Sequence, residues 1–321
     1  MKAVTYYSYG SPEVLKVEEL EKPSVSEDGV LVRIHASSVN PAEFYAMYGL
    51  YIMRPQSGLT HPKDPRIGTD FAGVVEAVGS KVTHLKPGDE VYGGRTGAFA
   101  EYVNVVNAVV RKPANVTFEE AAAIPTAAVT ALQGLRDHGK IKAGDKVLIN
   151  GAAGGVGTFA VQIAKAMGAE VTGVTSTKNV ELIRSLGADT VIDYNKADFI
   201  QSNKQYDVLL DIAGSRTWKE YRKVLKPKAN FVIVGGRKGN KFIGPLANAL
   251  RLRVAALGAS QTVAFFIANF TREDLNFLRD LVEAGKVKPV VEKVYPLAQV
   301  VDSMKHLGTG HAWGKIVLKV K

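Results

Sequence analysis

Hydrophobic and polar positions follow two different rhythms along this chain, and the rhythm changes near Pro125. Before that point the apolar stretches are short, alternating or cut by turn residues. Val30-Leu31-Val32-Arg33-Ile34-His35-Ala36 has a period of two, which is the mark of a strand with one face buried. A second apolar run, Phe71 to Gly79, ends at a glycine, and Pro87-Gly88-Asp89 reads as a turn. Short strands with frequent turns predict a compact, antiparallel, barrel-like unit.

After Pro125 strands alternate with helices. Lys146-Val147-Leu148-Ile149-Asn150 predicts a buried strand. Beyond a glycine cluster, Val156, Phe159, Ala160, Ile163, Ala164 and Met167 recur at i, i+3, i+4, i+7, i+8 and i+11, one apolar face of a helix that Gly168 ends. A strand over Glu170–Thr175, a helix over Asn179–Leu186 stopped by Gly187 and a strand over Thr190–Asp193 follow. Further strands are expected at Asp207–Asp211, Asn230–Val234 and Arg253–Leu257. Six strands interleaved with helices predict a parallel, doubly wound α/β sheet of the Rossmann type. From about residue 265 the pattern is mixed again, with a helical stripe of Leu275, Leu278, Leu281 and Val282 and a closing strand at Ile316-Val317-Leu318. The expected organisation is a catalytic domain in two parts, residues 1–124 and 265–321, interrupted by a nucleotide-binding domain over 125–264.

A length of 321 residues suits two domains, and 46% apolar residues suit a soluble protein with a large core. No apolar run reaches the length of a membrane span. The opening Met1-Lys2-Ala3-Val4-Thr5-Tyr6 lacks the pattern of a signal peptide, so the expected location is the cytoplasm, or an organelle reached without a cleavable signal. Cysteine is absent from the sequence, which excludes disulfides, thiolate-bound zinc, iron–sulfur clusters and thiol nucleophiles. The net charge of +10 invites a polyanionic partner, but Lys and Arg are dispersed, with no like-charge run and no aromatic-interleaved basic patch. An ordinary basic surface, and no nucleic-acid partner, is the reading adopted.

Asn150-Gly151-Ala152-Ala153-Gly154-Gly155-Val156-Gly157 joins the first buried strand to its helix. Small residues are needed there so that the backbone turns tightly and a pyrophosphate can approach the helix N-terminus, where unpaired N–H groups and the helix dipole hold it. The spacing Ala152-x-Gly154-x-x-Gly157 departs from G-x-G-x-x-G only at its first position. The strand before and the helix after make it a dinucleotide site, with Ala152, Gly154, Gly155, Val156 and Gly157 as the cradle. Cofactor preference is read about 20 residues on, at the end of the second strand, where an NAD site carries an acid for the ribose. Here Val174-Thr175-Ser176-Thr177-Lys178-Asn179 offers hydroxyls and a lysine instead. Ser176, Thr177 and Lys178 suit a 2′-phosphate and therefore NADP(H); a helix-capping role for Ser176 or Thr177 is compatible with this. Tyr194, just past the third strand, either reaches that phosphate or is packed at a strand end.

Together with their neighbours these residues resemble the medium-chain dehydrogenase/reductase family, in its quinone oxidoreductase-like branch without zinc. The resemblance runs along the whole chain: Val32-Arg33-Ile34-His35-Ala36-Ser37-Ser38-Val39-Asn40-Pro41-Ala42-Glu43, Gly68-Thr69-Asp70-Phe71-Ala72-Gly73-Val74-Val75, Leu85-Lys86-Pro87-Gly88-Asp89-Glu90-Val91, Gly97-Ala98-Phe99-Ala100-Glu101-Tyr102, Ser185-Leu186-Gly187-Ala188-Asp189 and Gly314-Lys315-Ile316-Val317-Leu318. It implies a Rossmann sheet inserted in a GroES-like, partly open β-barrel. Zinc-dependent members of the family carry a ligating Cys where this chain has Asn40 and a Gly-His-Glu where it has Gly68-Thr69-Asp70. His61, His84, His306 and His311 match no ligand spacing, so no metal site is expected.

The resemblance also implies an activity: NADPH-dependent reduction of a quinone, or of the activated C=C of an α,β-unsaturated carbonyl. Asn40 is then expected to position the nicotinamide ribose or a substrate oxygen, with Tyr45 or Tyr51 offering a hydroxyl to the acceptor; the alternative is that Phe44 to Tyr51 is a packed helix end. Thr126 and Thr130 match the family segment that lines the nicotinamide, although Thr126 also suits a helix cap. Val234 and Gly235 fall at the carboxyl end of a parallel strand, where ligands bind in such sheets. Lys315 reaches either the cofactor or solvent. Two other functions fit the sequence: reduction of an enoyl thioester, and a cofactor-binding protein with a non-catalytic, RNA- or membrane-associated role. Relatives often pair through the last strand of the nucleotide domain, which points to a homodimer joined at Arg253–Ala259.

Overall fold

Alternation in the amino-terminal third of the chain becomes a series of short β-elements. In order these are β1 (Lys2–Thr5), β2 (Lys16–Glu19), β3 (Val30–Ser38), helix α1 (Pro41–Tyr48), the single turn α2 (Arg54–Ser57), β4 (Asp70–Val78), β5 (Glu90–Gly94), β6 (Tyr102–Val105), β7 (Val109–Arg111), α3 (Phe118–Ala122) and α4 (Pro125–Gln133). The computed structural model describes residues 1–51, 54–236 and 245–321. Two units are present, one formed by 1–129, 269–285 and 289–321, the other by 130–268 and 286–288. These limits differ from the sequence boundaries at 124 and 264, and they return three residues of the tail to the second unit. Gln162 explains that return, because its amide nitrogen donates to the Lys288 carbonyl at 3.0 Å and its amide oxygen accepts from the Lys288 N–H at 2.8 Å.

The second unit holds β8 (Lys146–Asn150), α5 (Gly155–Ala166), β9 (Glu170–Thr175), α6 (Val180–Ser185), β10 (Thr190–Asp193), β11 (Tyr206–Asp211), α7 (Trp218–Tyr221), β12 (Leu225–Ile233), α8 (Pro245–Ala255) and β13 (Thr262–Phe265). Its six strands are all parallel and lie in the order β10-β9-β8-β11-β12-β13. The order reverses between β8 and β11, and the carboxyl ends of those strands bring Asn150 and Asp211 into register. Such a switch point is where open α/β sheets bind ligands.

One expected strand is corrected. Arg253–Leu257 is not a strand: its first residues end α8 and the rest form a turn. The polar–apolar alternation of Arg251-Leu252-Arg253-Val254 imitates a strand. Burial instead falls on Ala249, Leu252 and Ala256, at i, i+3 and i+7, which is helical spacing. The sixth strand is β13, and it forms the edge of the sheet. Any pairing through that edge therefore involves Thr262–Phe265 and not Arg253–Ala259.

The tail adds α9 (Arg272–Glu283), β14 (Val291–Pro296), α10 (Val300–Gly308) and β15 (Lys315–Lys319). All but α10 and α9 extend the sheet of the first unit, which runs β14-β15-β3-β4-β5-β7 with β6 on β3. Its pairings are antiparallel except β14 with β15. Helix α9 is anchored on it by Tyr92, whose buried hydroxyl donates to the Leu275 carbonyl at 2.6 Å. β15 beside β3 has a direct consequence for chemistry, since it carries Lys315 to the strand end at which Ser38 and Asn40 lie. Among the described residues no helix is long and apolar enough to cross a membrane.

Candidate functional site

In the second unit the chain leaves β8 at Asn150 and turns at Gly151, whose φ of +93° lies in the left-handed region that glycine tolerates. Gly154 caps α5 in extended backbone and makes no side-chain cap. The first-turn N–H groups of Gly155, Val156 and Gly157 therefore have no side-chain cap, in a stretch that is partly covered at 154–156 and buried at Gly157. The helix ladder begins with Thr158 N–H on the Gly154 carbonyl at 2.9 Å. A Cβ on Gly157 would lie 2.2 Å from the Gly151 oxygen, so only glycine closes this turn. A Cβ on Gly154 meets nothing nearer than 3.6 Å. Bare backbone, open space and the positive helix end fit a pyrophosphate.

A buried carboxylate braces the turn from below. Asp211 is fully buried and accepts from Asn150 Nδ2 at 2.8 Å, Gly214 N–H at 3.0 Å and the Tyr221 hydroxyl at 2.7 Å. Burial pushes its pKa up to about 6, against the pull of those hydrogen bonds. The Asp211 carbonyl takes the N–H groups of Val234 and Gly235 at 2.9 and 3.2 Å. Gly235 has a packing reason of its own, since a Cβ there would sit 2.3 Å from the Ile212 oxygen.

At the end of β9, Ser176 precedes a short turn in which Thr177 and Lys178 are exposed. Tyr194 is 56% exposed, and its N–H donates to the Thr175 carbonyl at 3.0 Å, which fixes it at the same corner. The sequence reading found no acid here, but cross-strand register supplies one. Asp193 of β10 pairs with Thr175. Its carboxyl lies below the usual carboxylate range, first through the Thr177 hydroxyl and also through the Asn195 N–H at 3.0 Å. Asn195 Nδ2 in turn donates to Thr177 Oγ1 at 3.2 Å.

The first unit gathers a separate polar cluster where β3 ends and α1 begins. Asp70 is completely buried. Its Oδ1 accepts from the Thr126 N–H at 2.9 Å and the Thr126 hydroxyl at 2.5 Å. Its Oδ2 accepts from the Ser38 hydroxyl at 2.7 Å and Asn40 Nδ2 at 3.0 Å, and lies 3.5 Å from Lys315 Nζ. Lys315 is 4% exposed and also donates to Asn40 Oδ1 and to the Val39 carbonyl. Of the two roles read for it, contact with solvent is ruled out. Both ends of the Asn40 amide are engaged by protein, so its side chain is locked in place.

Glu43 adjoins this cluster. It is 3% exposed, and one carboxyl oxygen accepts the Asn40 N–H at 2.7 Å, capping α1. The other oxygen, Oε1, is buried with no close hydrogen-bond partner, although the Thr69 hydroxyl acts on the carboxyl. Burial and then the Asp70 charge push the Glu43 pKa up to about 7, against the Thr69 hydroxyl and the Lys315 ammonium. An open cavity of about 330 Å³ borders Glu43, Ala42 and Ala46 of α1, with Gly68 and Thr69 opposite and Gln56 and Ser57 from α2. Tyr45 is half-buried on α1, and burial raises its phenol pKa. Tyr51 is 48% exposed and lies under the Arg54 guanidinium at 4.1 Å from the ring centroid. Thr130 is half-buried in α4.

The structure thus assembles Asn40, Thr126 and Lys315 in the first unit. In the second it assembles the cradle with Val234 and Gly235, and the Ser176–Lys178 turn with Tyr194. Asp70, Glu43, Asp193 and Asp211 were missed. For Glu43 the signal was present, since Asn40-Pro41-Ala42-Glu43 has capping-box spacing.

Comparison with known proteins places these features in a family. Residues 26–114 match the alcohol dehydrogenase GroES-like domain, and residues 186–318 match the zinc-binding dehydrogenase domain. The chain is 36% identical to the 2-methylene-furan-3-one reductase of Solanum lycopersicum, over 99% of this chain and 79% of that protein. It is 35% identical to the chloroplastic NADPH-dependent alkenal/one oxidoreductase of Arabidopsis thaliana, over the same shares. The solved quinone oxidoreductase of Coxiella burnetii superposes with a TM-score of 0.88 at 30% identity, covering 100% of this chain and 99% of that one.

Proposed function

Because the chain belongs to the medium-chain dehydrogenase/reductase family, in its quinone oxidoreductase-like branch, we propose that it is an NADPH-dependent reductase of quinones or of the activated C=C of α,β-unsaturated carbonyls, working without zinc. The observation that carries this is the glycine-capped start of α5, whose first-turn N–H groups no side chain caps.

Gly155, Val156 and Gly157 would hold the pyrophosphate through their N–H groups, with Ala152 and Gly154 leaving room for it. Ser176, Thr177, Lys178 and Tyr194 would receive the 2′-phosphate. Asp193 lies beside this corner, with Oδ1 taken by the Asn195 N–H at 3.0 Å and the carboxyl drawn down by the Thr177 hydroxyl. NADPH, when bound, supplies a hydride to the electrophilic carbon of the acceptor. The chain's own task is to orient that acceptor and to stabilise the negative charge that reaches its oxygen. Tyr45 and Tyr51 are the hydroxyl donors proposed for this. Thr126 acts on Asn40 through Asp70 and Lys315 acts on it directly, so that Asn40 serves as a fixed wall of the site.

The zinc of other family members does not fit these residues. The sequence has no cysteine, and the Lys315 ammonium already stands against Asn40 and Asp70, where a second cation would be repelled. Among the described residues no three His, Asp or Glu side chains converge as a ligand set. A homodimer joined at the β13 edge is part of the proposal, supported by Leu257 and Ile267, each 80% exposed on either side of that strand.

Titration with NADPH and NADH, followed by stopped-flow oxidation against a panel of quinones and enones, tests the reading. NADPH is expected to bind more tightly and to be oxidised by at least one acceptor class. Failure to bind either nucleotide at millimolar supply would overturn it.

A further inference from the structure

Glu43 is an expensive way to cap a helix. The cap uses one oxygen, which a glutamine amide would provide without placing an ionisable group inside the protein. The second oxygen is buried without a close partner, although the Thr69 hydroxyl acts on the carboxyl, an arrangement that costs stability unless it serves something else. The adjacent carboxyl groups Asp70 and Glu43 differ sharply in environment. Asp70 has both oxygens saturated by donors, whereas Glu43 has one free oxygen and a cavity beside it. Where two nearby carboxyl groups sit in opposed environments, the one with an oxygen left over beside open space is the one placed to carry a proton.

We propose that the acceptor's oxygen enters the cavity beside α1 and that Glu43 is the acid that protonates it. The proposal rests on the reductase reading above and adds the proton source. After hydride has added to the acceptor, both new electrons reside on it and its oxygen carries the negative charge, as an enolate or a hydroquinone monoanion. The O–H bond of Glu43 breaks and a new O–H bond forms on that oxygen, giving the enol or the hydroquinone. Glu43 remains as a carboxylate and takes up one proton from solvent through the open mouth of the cavity, so each turnover consumes one hydride and one H⁺. No oxidant or further reductant is required. Gln56, Ser57 and Thr69 on the cavity wall supply polar contacts suited to a carbonyl.

The charged and titratable groups around Glu43 are Asp70 from β4 and Lys315 from β15, with Tyr6, Lys63, Asp64 and Arg66 on the cavity rim. Asp64 and Arg66 are paired at 2.7 Å. The 12–14 turn and α10, which also pack on α1, bring Glu13 and Lys305, paired with each other at 2.9 Å. Burial and the Asp70 carboxylate keep Glu43 protonated up to about pH 7, the condition a general acid needs near neutrality.

The test is Glu43→Gln, which keeps an oxygen for the Asn40 N–H and removes only the proton. NADPH affinity is expected to stay within about twofold, and kcat to fall about a hundredfold. Wild-type kcat should fall as pH rises through about 7, and the variant should lose that limb. An infrared difference spectrum between wild type and variant should show a protonated-carboxyl band that titrates in the same range and needs no turnover. Unchanged kcat with an unchanged pH profile in Glu43→Gln overturns the proposal. So does a wild-type kcat that is flat between about pH 6 and 8, a measurement independent of how the variant folds. If no acceptor oxidises NADPH, the reductase reading fails instead, while the infrared band still decides where the proton resides.

Discussion

Gly154→Asp separates binding from stability, because the two should move in opposite directions. Gly154 sits in extended backbone with φ −73° and ψ 172°, a conformation aspartate adopts freely. A Cβ there meets only the Gly151 oxygen at 3.6 Å, so no clash is introduced. Aspartate is also a better N-cap than glycine, by about a few tenths of a kcal/mol, and its charge complements the positive end of α5. Thermal stability should therefore be unchanged or slightly raised. The same carboxylate would occupy the N–H groups of the first turn and oppose the charge of a pyrophosphate there, taken as unit charges about 4 Å apart. Each unit-charge pair at such a distance costs about 1 to 4 kcal/mol, depending on local screening. With two phosphates partly offset by solvent, the loss is about 2 to 4 kcal/mol, or roughly 30-fold to 1,000-fold in Kd. Isothermal titration with NADPH, beside thermal unfolding of the same sample, measures both quantities. An intact variant that binds NADPH within threefold of wild type would refute the assignment of α5 as the pyrophosphate site.

Three further outcomes are expected. Lys178→Ala should weaken NADPH by about tenfold, a modest loss because the site is exposed, and leave NADH unchanged; equal losses for both would remove Lys178 from the 2′-phosphate site. Lys315→Met strands the buried Asp70 carboxylate and the Asn40 amide oxygen, so urea unfolding should show a loss of about 3 kcal/mol or more. The third concerns pH and the stability of Glu43→Gln. The folded pKa of Glu43, about 7, lies above its unfolded value of 4.5, so the folded state retains a proton that the unfolded chain releases. Its contribution is full below the unfolded pKa and is lost as pH rises towards 7. Glutamine has no such loss, so between about pH 4 and pH 8 the variant should gain about 3 kcal/mol relative to wild type. Asp211 titrates in both proteins and cancels in the difference. Parallel stability curves would place the Glu43 pKa near its ordinary value.

The parts of the fold legible in the text were those written locally. The helix after β8 repeats its apolar residues over three turns, and the cradle is a contiguous string, so neither needs distant partners to be recognised. The sixth strand was misplaced because two arginines alternate with apolar residues on the exposed side of α8, whereas burial follows Ala249, Leu252 and Ala256. The acid at the corner after β9 was invisible because Asp193 reaches Thr175 only through strand register. Lys315 lies 275 residues from Asn40 in sequence, and nothing near it signals that β15 will run beside β3. Long-range pairing creates these sites, and a single sequence does not record it.

The clasp between Gln162 and Lys288 sets a limit on how the molecule can be divided. A fragment cut as the uninterrupted stretch 130–268 would carry every strand of the parallel sheet, yet it would strip the Gln162 amide oxygen of its partner and leave its nitrogen only the Thr158 carbonyl. Three residues borrowed from beyond α9 seal the flank of the nucleotide-binding half. Swapping that half between relatives would accordingly succeed only if the short Lys286-Val287-Lys288 segment travelled with it.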